Sequence, residues 1–558
     1  MPHLPERSSL SRGILGGMRY AFHVDAVRAA EERLLAQQSY PDQLMQLAAH
    51  AVADAAAVML AARPGHPDHV MILAGSGGNG GDGLFAGALL AQQGHAVTAL
   101  VPKSCHAAAL AAFEEAGGEI LKDESSSSST TSLPDDTSLL IDAVAGLGSG
   151  RGLSGQTLEL YEQAVGVPVL AVDMPTGINA ETGIAAREGA VHADVTVTFG
   201  WARMGHVLAA ECGQVVLADL TLPDATSFSA MLESLAQPAG HVANEPTMET
   251  PYAWRPGNIE CVHGIATHPR PVGCTGPIVD PTPGLTSDKY TGGVVTIAAG
   301  SDTYPGAGIL AATAAVRTSP AMVRFIGDRS ITSLLPELVV HPDLDSAGHV
   351  QAIVVGPGRS TDAAAQAELA EVLDGFISAV IDADALRLLA RHPELRARLG
   401  SLPVTVLTPH LGEFTELYEA TFNKDLDLSS GKAAPLQELA TALGCIVLLK
   451  GRNTLVTAPG QPIYAYNAGH SYAATPGSGD VLAGILGAVL AQMHLEDRAQ
   501  VGRTTLTEII TEVLHAGAIH AHAAAIAAQT PEGYAICSAS QIAAAIPRAV
   551  AKLLRMAR

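Results

Sequence analysis

Short apolar segments, each followed by a turn and an alanine-rich stretch, recur along both halves of this 558-residue chain. Val70 to Ala74, for example, runs into the glycine loop 75–83 and then into an alanine-rich segment that ends near Gln93. Strands that alternate with helices pair in parallel, and the helices cover both faces of the sheet. The chain is therefore predicted to be an α/β protein. The other predicted strands are 96–101, 139–144, 169–172, 195–199, 215–220, 294–299, 322–326, 352–355, 379–381, 404–407, 445–449 and 455–457.

The chain is long enough for two domains. The alternation fails between Pro223 and Ser287, where proline, glycine and threonine accumulate, and it then resumes. We predict a disordered extension over residues 1–17, a first domain over 18–222, a linker or arm over 223–286 and a second domain over 287–558.

The amino-acid composition argues against several classes of partner and location. The formal net charge of −23 argues against a nucleic-acid partner but leaves room for phosphate ligands, which backbone N–H groups can bind. The six cysteines are scattered without a Cys-x-x-Cys pair, which favours reduced thiols in the cytoplasm. No uninterrupted apolar run reaches the length of a membrane span, so no membrane association is expected.

Polar residues follow several strands of the first half. The loop 75–83 is a glycine cluster that opens a helix, which is where an open α/β sheet binds phosphate, although a tight turn would have the same composition. Asn79, Asp142 and Thr176 offer hard oxygen donors that would suit an alkali cation. Asp173, at a third strand end, is a candidate proton shuttle or simply a loop residue.

In the second half, the segment Thr475 to Asp480 is a glycine-rich turn that opens an apolar helix. Backbone N–H groups and the positive helix end can hold a phosphate there, and Asp480 could take a proton from a hydroxyl beside it. This arrangement is typical of phosphoryl transfer to an alcohol. The segments 300–307, 355–358, 408–414 and 449–454 also follow predicted strands, although each could be a turn, a helix cap or a solvated side chain.

The first half resembles the NAD(P)H-hydrate epimerase family, through the segments 77–83, 141–143, 173–177 and 193–200. The resemblance implies a Rossmann-like three-layer sandwich that binds potassium and interconverts the two C6 epimers of hydrated NADH and NADPH. It assigns potassium to Asn79, Asp142 and Thr176, and it brings Asp173 to the substrate. The remaining implied substrate-binding residues are Gly78, Asn79, Gly80, Gly81, Asp82, Gly146, Leu147, Gly148, Ser149, Gly150, Arg151 and Gly152.

Three residues of the first half depart from that family's pattern. Gly78 stands where a second asparagine is usual, Thr176 stands where serine is usual, and Arg203 stands where lysine is usual.

Residues 289–529 resemble the ADP- or ATP-dependent NAD(P)H-hydrate dehydratase family, which has a ribokinase-like fold. The resemblance implies ADP as co-substrate, magnesium bridging its oxygens, and Asp480 as the base. The residues implied to hold the nucleotide are Lys450, Gly451, Arg452, Asn453, Thr454 and Gly479, and those implied to line the hydrate site are Ala307, Gly358, His410 and Asp480. Ser478, Pro476 and the segment 469–472 differ from the usual pattern.

Together the two resemblances imply a cytoplasmic metabolite-repair enzyme, expected to be a homo-oligomer. Its substrates would be the NADH and NADPH hydrates (NADHX and NADPHX) and ADP. It would epimerise the R and S forms and dehydrate the S form, giving NAD(P)H, AMP and phosphate. The alternative is a ribokinase-like kinase for a small alcohol of the thiazole or pyridoxine type, fused to a non-catalytic nucleotide-binding domain.

Overall fold

The computed structural model describes most of the chain, with gaps at the termini, within each half and in the region between the two halves. The predicted extension 1–17 and most of the predicted linker 223–286 lie outside the described residues. The described residues are 19–61, 68–122, 132–147, 150–222, 227–236, 252–254, 281–283, 285, 287–290, 292–318, 322–495 and 505–557.

The first half contains a seven-stranded parallel sheet in the order β4-β3-β2-β5-β6-β7-β9. The six strands predicted in this half are present, and Glu119–Lys122 is an additional edge strand. A separate small sheet joins β1, β8 and β10. The strands are β1 Arg19–Phe22, β2 His69–Ala74, β3 Ala96–Val101, β4 Glu119–Lys122, β5 Thr137–Ala143, β6 Val169–Val172, β7 Val195–Phe199, β8 Ala202–Arg203, β9 Gln214–Ala218 and β10 Tyr252–Trp254.

Alternate residues of this sheet enter two different apolar clusters. In β2, Val70 and Ile72 pack on one face with α1 to α4, whereas Met71 and Leu73 pack on the other face with Leu160 of α5. The first half is thus a three-layer sandwich, as predicted. Its helices are α1 Val24–Leu35, α2 Gln43–Ala61, α3 Gly78–Gln92, α4 Ala107–Glu115, α5 Gln156–Gln163, α6 Met204–Leu208 and α7 Phe228–Ala236.

The second half contains a nine-stranded sheet in the order β13-β12-β11-β14-β15-β16-β17-β18-β19. Its strands are parallel as far as β17, but β18 and β19 are antiparallel, a feature the alternation did not predict. The strands are β11 Val294–Ala298, β12 Met322–Ile326, β13 Val339–His341, β14 Ala352–Val355, β15 Ser378–Ile381, β16 Thr405–Leu407, β17 Ile446–Leu449, β18 Asn453–Thr457 and β19 Tyr464–Asn467, followed outside this sheet by the hairpin β20 Gln529–Thr530 and β21 Gly533–Tyr534.

Helices cover both faces of this second sheet as well. Val295 and Ile297 of β11 pack against α8, α15, α16 and α17, whereas Ala298 faces the layer that contains α10, α11, α13 and α14. The helices are α8 Pro305–Thr318, α9 Leu344–Ala347, α10 Ala363–Asp374, α11 Asp384–Arg391, α12 Pro393–Arg396, α13 Leu411–Phe422, α14 Ala433–Leu443, α15 Ser478–Gln492, α16 Leu506–Ala528 and α17 Ala539–Ala557.

One apolar cluster is shared by the two halves. It contains Met174, Met204 and Leu208 of the first half together with Leu449 and Leu455 of the second. A continuous buried core of this kind fixes the relative position of the halves.

Within the part of the chain that the structure describes, two helices, α2 and α16, are long and apolar enough to cross a membrane by length and composition alone. Half of the apolar window of α2 and 83% of that of α16 are buried inside the protein. We therefore interpret both as core helices of the two sandwiches. The apolar character of these helices is explained by their burial on several sides.

Glycine at position 484 permits close contact between α15 and α8. A β-carbon built on Gly484 would lie 2.1 Å from the carbonyl oxygen of Ala311, whereas one built on Gly517, in α16, would meet nothing within 4 Å. We expect Gly484→Ala to destabilise the protein by about 1–3 kcal/mol through overpacking, and Gly517→Ala to stabilise it by about 0.5–1 kcal/mol. Urea unfolding of both variants checks this, and equal midpoints would contradict it.

Candidate active sites at the carboxyl ends of the two sheets

A cavity of about 350 Å³ opens in the first half where β2, β6 and β7 end. Its lining includes Asn79 and Asp82 from the first two turns of α3 and Asp173 from the end of β6. Glu31 of α1 and Arg203 of β8 complete its charged lining. The sequence predicted that the ends of β2, β5 and β6 converge on one crevice. The ends of β2 and β6 meet at this cavity, whereas Asp142 of β5 is not among its lining residues.

Asp173 is held by a buried network. Its Oδ1 lies 2.9 Å from Nη2 of Arg203 and accepts a hydrogen bond of 3.1 Å from the hydroxyl of Thr198. The two ionic residues are only 4% and 2% exposed, so the guanidinium supplies the counter-charge that a buried carboxylate needs. Asp173 also has a positive φ of 64°, a strained backbone conformation that is concentrated at functional sites.

His206 fixes the backbone on the other side of Asp173. Burial lowers the pKa of His206 to about 3, so the ring is neutral. Its Nδ1 accepts from the backbone N–H of Arg203 at 2.9 Å, and its Nε2–H therefore donates to the carbonyl oxygen of Asp173 at 2.7 Å. The neutral ring of His206, with its proton on Nε2, thus links helix α6 to the end of β6.

Asp142 and Thr176, two of the predicted cation ligands, are in direct contact. The Asp142 carboxylate accepts from the backbone N–H and from the hydroxyl of Thr176, both at 2.7 Å. Burial raises the pKa of Asp142 to about 6, although these hydrogen bonds lower it. Asn79, the third predicted cation ligand, donates a hydrogen bond of 2.7 Å to the carbonyl oxygen of Val172. A β-carbon added to Gly146 would lie only 2.5 Å from Oδ1 of Asn79, so this side chain packs directly on Gly146.

Two further carboxylates in this cavity carry raised pKa values. Burial and the nearby Asp173 raise the pKa of Asp82 well above its ordinary value, and the same two causes raise that of Glu31. Glu31 lies on the buried side of α1, and no motif in the sequence pointed to it. Only its position on that helix after folding reveals it.

Only some of the predicted substrate-binding residues of this half line the cavity. Gly78, Asn79, Asp82 and Leu147 line the cavity. Gly80 and Gly81 pack inside against Gly75 and Met45, Gly146 packs on Asn79, and Gly150 and Gly152 pack against Asn179 and Glu188. Arg151 is exposed and is not among the cavity-lining residues. Gly148 and Ser149 lie outside the described residues.

The second half has a cavity of about 670 Å³ at the carboxyl ends of β15 and β17. The glycine-rich turn before α15 forms one wall, with Gly477 in the left-handed region at φ 83° and Asp480 in the first helical turn, as predicted. The backbone N–H groups of that turn and the helix dipole favour an anion here.

Lys450 is the central cation of this site. Its Nζ lies 2.7 Å from Oδ1 of Asp382 and 3.8 Å from Oε2 of Glu413. Burial lowers the pKa of Lys450, but these two carboxylates outweigh it and the pKa stays above its usual value. A β-carbon on Gly479 would lie only 3.4 Å from the same Nζ, so lysine and helix start are close neighbours.

Asp480 is adjacent to this pair and largely buried. Burial, together with the charge of Asp382, raises its pKa to about 6, and Lys450 opposes the shift. A carboxylate with such a pKa is ionised at neutral pH but accepts a proton more readily than an exposed aspartate. Nearby, Ser478 is 2.8 Å from Nε2 of His520, whose pKa burial lowers to about 4.

The predicted nucleotide residues Lys450, Gly451, Arg452, Thr454 and Gly479 line this cavity, but Asn453 is not among its lining residues. His410 lines it too and also caps α13, accepting from the N–H groups of Gly412 and Glu413.

Ala307 and Gly358 are placed together but away from this lining. A β-carbon on Gly358 would lie 2.8 Å from that of Ala307, which makes the two residues neighbours at the start of α8. Neither belongs to the residues that line the 670 Å³ cavity.

Sequence reasoning missed Asp382 and Glu413. Asp382 directly follows β15, so the strand-end pattern that selected Asp142 would also have selected it. Glu413 lies in the predicted segment 408–414 but had no assigned role, and its side chain faces Lys450 only after folding.

Two three-layer α/β domains, each with a carboxylate beside a glycine-rich helix start at its strand ends, define a two-site nucleotide-handling enzyme. Comparison with known proteins identifies the family. Residues 41–205 match the family described as YjeF-related protein N-terminus, and residues 295–548 match the one described as NAD(P)H-hydrate dehydratase.

The chain is 39% identical to the bifunctional NAD(P)H-hydrate repair enzyme of Corynebacterium glutamicum, over 96% of this chain and 99% of that protein. It is 40% identical to the enzyme of the same name from Mycobacterium tuberculosis, over 85% of this chain and 89% of that protein. The chain therefore belongs to the family of bifunctional NAD(P)H-hydrate repair enzymes, which join an epimerase-type domain to a dehydratase domain.

Among solved structures, an ADP/ATP-dependent NAD(P)H-hydrate dehydratase from Bacillus subtilis, co-crystallised with ATP and Mg²⁺, is 23% identical and has a TM-score of 0.39. That match covers 49% of this chain and 94% of the other. A ribokinase-like superfamily protein from Enterococcus faecalis is 23% identical, with a TM-score of 0.41, over 49% of this chain and 91% of the other.

Arg203 is predicted to be needed for the stability of the first half because it compensates the buried charge of Asp173. Arg203→Met should cost about 3–5 kcal/mol by leaving that carboxylate unpaired, whereas Arg203→Lys should cost much less because it keeps the charge. Urea unfolding of the two variants measures the difference. Equal losses would mean that packing, rather than charge, is what Arg203 contributes.

Proposed function

We propose that the chain repairs hydrated NADH and NADPH by epimerising the hydrates at C6 in its first half and dehydrating the S form at the expense of ADP in its second half. Membership of the repair-enzyme family supports both activities. The single observation that carries the dehydratase assignment is the cavity in which Asp480, Lys450 and the start of α15 meet.

The dehydration would proceed in two balanced steps. Asp480 takes the proton of the C6 hydroxyl, the oxygen attacks the terminal phosphorus of ADP, and the P–O bond to AMP breaks. The C6–O bond then breaks with loss of phosphate while the C5 proton passes to the departing phosphate, which restores the ring double bond of NAD(P)H. Phosphate is a far better leaving group than hydroxide, which is why the nucleotide is needed.

The residues around Asp480 suit this role. The backbone N–H groups of 477–479 would hold the transferring phosphoryl group, and Lys450 would offset its charge while kept in place by Asp382 and Glu413. The carboxylate of Asp382 is a hard oxygen donor in the same cavity, which fits Mg²⁺. When bound, the ion would neutralise the charge on the nucleotide phosphates.

In the first half, Asp173 would act on the C6 hydroxyl of the hydrate. Removing its proton lets the adjacent C6–N1 bond open to an aldehyde, and closure on the other face gives the second epimer after the proton returns. The buried carboxylate of Asp142, which contacts the hydroxyl of Thr176, has no cationic partner among the described residues and so fits a potassium ion, for which Asn79 would supply a further oxygen. That ion would supply a fixed charge beside the substrate.

Two further expectations accompany this function. We infer a cytoplasmic enzyme, because NAD(P)H is an intracellular cofactor and the four described cysteines are free thiols. The homo-oligomeric state stays a prediction, as do the domain limits and the exclusion of nucleic acid and membrane partners.

The decisive assay mixes the purified protein with both epimers of NADH hydrate, K⁺, Mg²⁺ and ADP, and follows the return of NADH absorbance. Recovery of nearly all the hydrate, faster than spontaneous epimerisation allows, is the expected result. Recovery of one epimer's share alone would contradict the epimerase assignment. No recovery with ADP or ATP would favour the small-alcohol kinase.

Asp480→Asn is predicted to lower the dehydration rate by about 100-fold or more, because the amide cannot accept the hydroxyl proton. Epimerisation should be unchanged, since Asp480 lies in the other half, and this activity serves as the internal control for folding. Dehydration at the wild-type rate in the variant would refute Asp480 as the base.

The pH dependence of the wild type gives a second readout for Asp480. The base must be ionised, so dehydration should be full above the pKa of about 6 and should fall as the pH drops through that value. The Asp480→Asn variant should lose this acidic limb.

Removal of potassium tests the cation site in the first half. Replacing K⁺ by Li⁺ should slow epimerisation several-fold, because a smaller ion fits a fixed set of oxygen ligands poorly. Asp142→Asn should abolish the difference between the two ions, and dehydration of the S epimer serves as the control. An epimerisation rate that is the same in Li⁺ and K⁺ would rule out a functional role for this cation.

A further inference from the structure

Asn453, at the start of β18, joins the nucleotide loop of the second half to the first half. Its Nδ2 donates to the carbonyl oxygen of Val207 at 2.9 Å and to that of Ala209 at 3.1 Å. These carbonyls lie at the carboxyl end of α6, where a helix leaves its last carbonyls without partners inside the helix. The amide of Asn453 therefore acts as a cap supplied by the other half of the chain.

The residues beside Asn453 form the wall of the dehydratase cavity. Lys450, Gly451, Arg452 and Thr454 all line that cavity, whereas Asn453 lines only a second cavity of about 290 Å³ between the two halves, which Lys450, Gly451 and Arg452 also line. Asn453 points away from the nucleotide region, and its Oδ1 is buried without a partner among the described residues. Its contribution to the loop therefore comes through the Nδ2 bonds to α6.

The same short helix also touches the first active site. His206, inside α6, donates from Nε2 to the carbonyl oxygen of Asp173 at 2.7 Å. At its carboxyl end, α6 accepts the two bonds from Asn453. One five-residue helix thus contacts the backbone of Asp173 in one site and the nucleotide loop of the other.

The backbone of the rest of the loop is anchored within the second half. The backbone N–H of Lys450 donates to Pro409 at 2.8 Å, and the carbonyl of Arg452 accepts from Ala468 at 2.9 Å. Among the described residues, the side chain of Asn453 makes the polar contact that ties this loop to α6.

We propose that Asn453 is a positioning residue, which holds the loop 450–454 in its nucleotide-binding form by docking it on α6, so that ADP affinity depends on the first half of the chain. The proposal rests on the proposed function. It replaces the expectation that Asn453 touches the nucleotide itself. Because coupling between sites is reciprocal, ADP binding would in turn stabilise α6.

The test compares Asn453→Asp with a matched control in the intact protein. Asn453→Asp keeps the shape but loses the Nδ2 donor and sets a carboxylate against two carbonyl oxygens. Asn467, on the neighbouring strand, donates from Nδ2 to the carbonyl of Gly213 at 3.0 Å and accepts on Oδ1 from the N–H of Gly469. Asn467→Asp therefore removes a bond between the same two halves while keeping its local acceptor.

We expect Asn453→Asp to raise the KM for ADP by about 5- to 30-fold, with a smaller change in kcat. Asn467→Asp should leave that KM within about twofold, although it removes a bond of the same type. Asn453→Gln, which retains a donor, should recover part of the loss. An unchanged KM in Asn453→Asp, or equal effects at both positions, would overturn the proposal.

Hydrogen–deuterium exchange separates docking from direct nucleotide contact. Adding ADP and Mg²⁺ to the wild type should slow exchange in residues 204–209, and Asn453→Asp should abolish this protection even at saturating ADP. A raised KM with unaltered exchange in 204–209 would mean that Asn453 touches the nucleotide, and would refute the docking role. Lack of dehydration in the wild type would instead refute the proposed function.

Discussion

Parallel strand pairing is the constraint on which both sites depend. It brings the carboxyl ends of neighbouring strands to one edge, so Asp142, near the end of β5, and Asp173, which follows the adjacent β6, lie at the same edge of the sheet. In the second half, the same rule brings Asp382 and Lys450 to opposite sides of β16. Each site therefore collects side chains that lie far apart in the sequence.

Both sites combine a buried carboxylate with one basic side chain. Asp173 pairs with Arg203 and Asp382 pairs with Lys450, and all of these except Lys450 are almost fully buried. Such pairs add little net stability because desolvation offsets their attraction. Their value is geometric, since an ion pair in a close-packed wall has one arrangement. Non-glycine residues in left-handed conformations, Asp173 and Ala383, occur at the same strand ends.

The two halves are joined by more than a linker. A shared apolar cluster includes Val207 and Leu208 of α6 with Leu449 and Leu455, the residues that flank the nucleotide loop. The amides of Asn453 and Asn467 then satisfy carbonyl groups across this boundary. Consequently, the geometry of the second site is set partly by the packing of the first half.

The sequence by itself determined the α/β class, the central strands, and the placement of Asp173, Asp142 and Asp480 at strand or helix ends, because alternation and glycine turns are local signals. It did not reveal the antiparallel strand β19, the ion pair of Asp173 with Arg203, or the contact of Lys450 with Glu413. Asn453 is a further example. Its motif predicted that it binds the nucleotide, but its amide contacts α6, some 245 residues earlier in the chain. These features depend on contacts between distant segments, which only the tertiary structure decides.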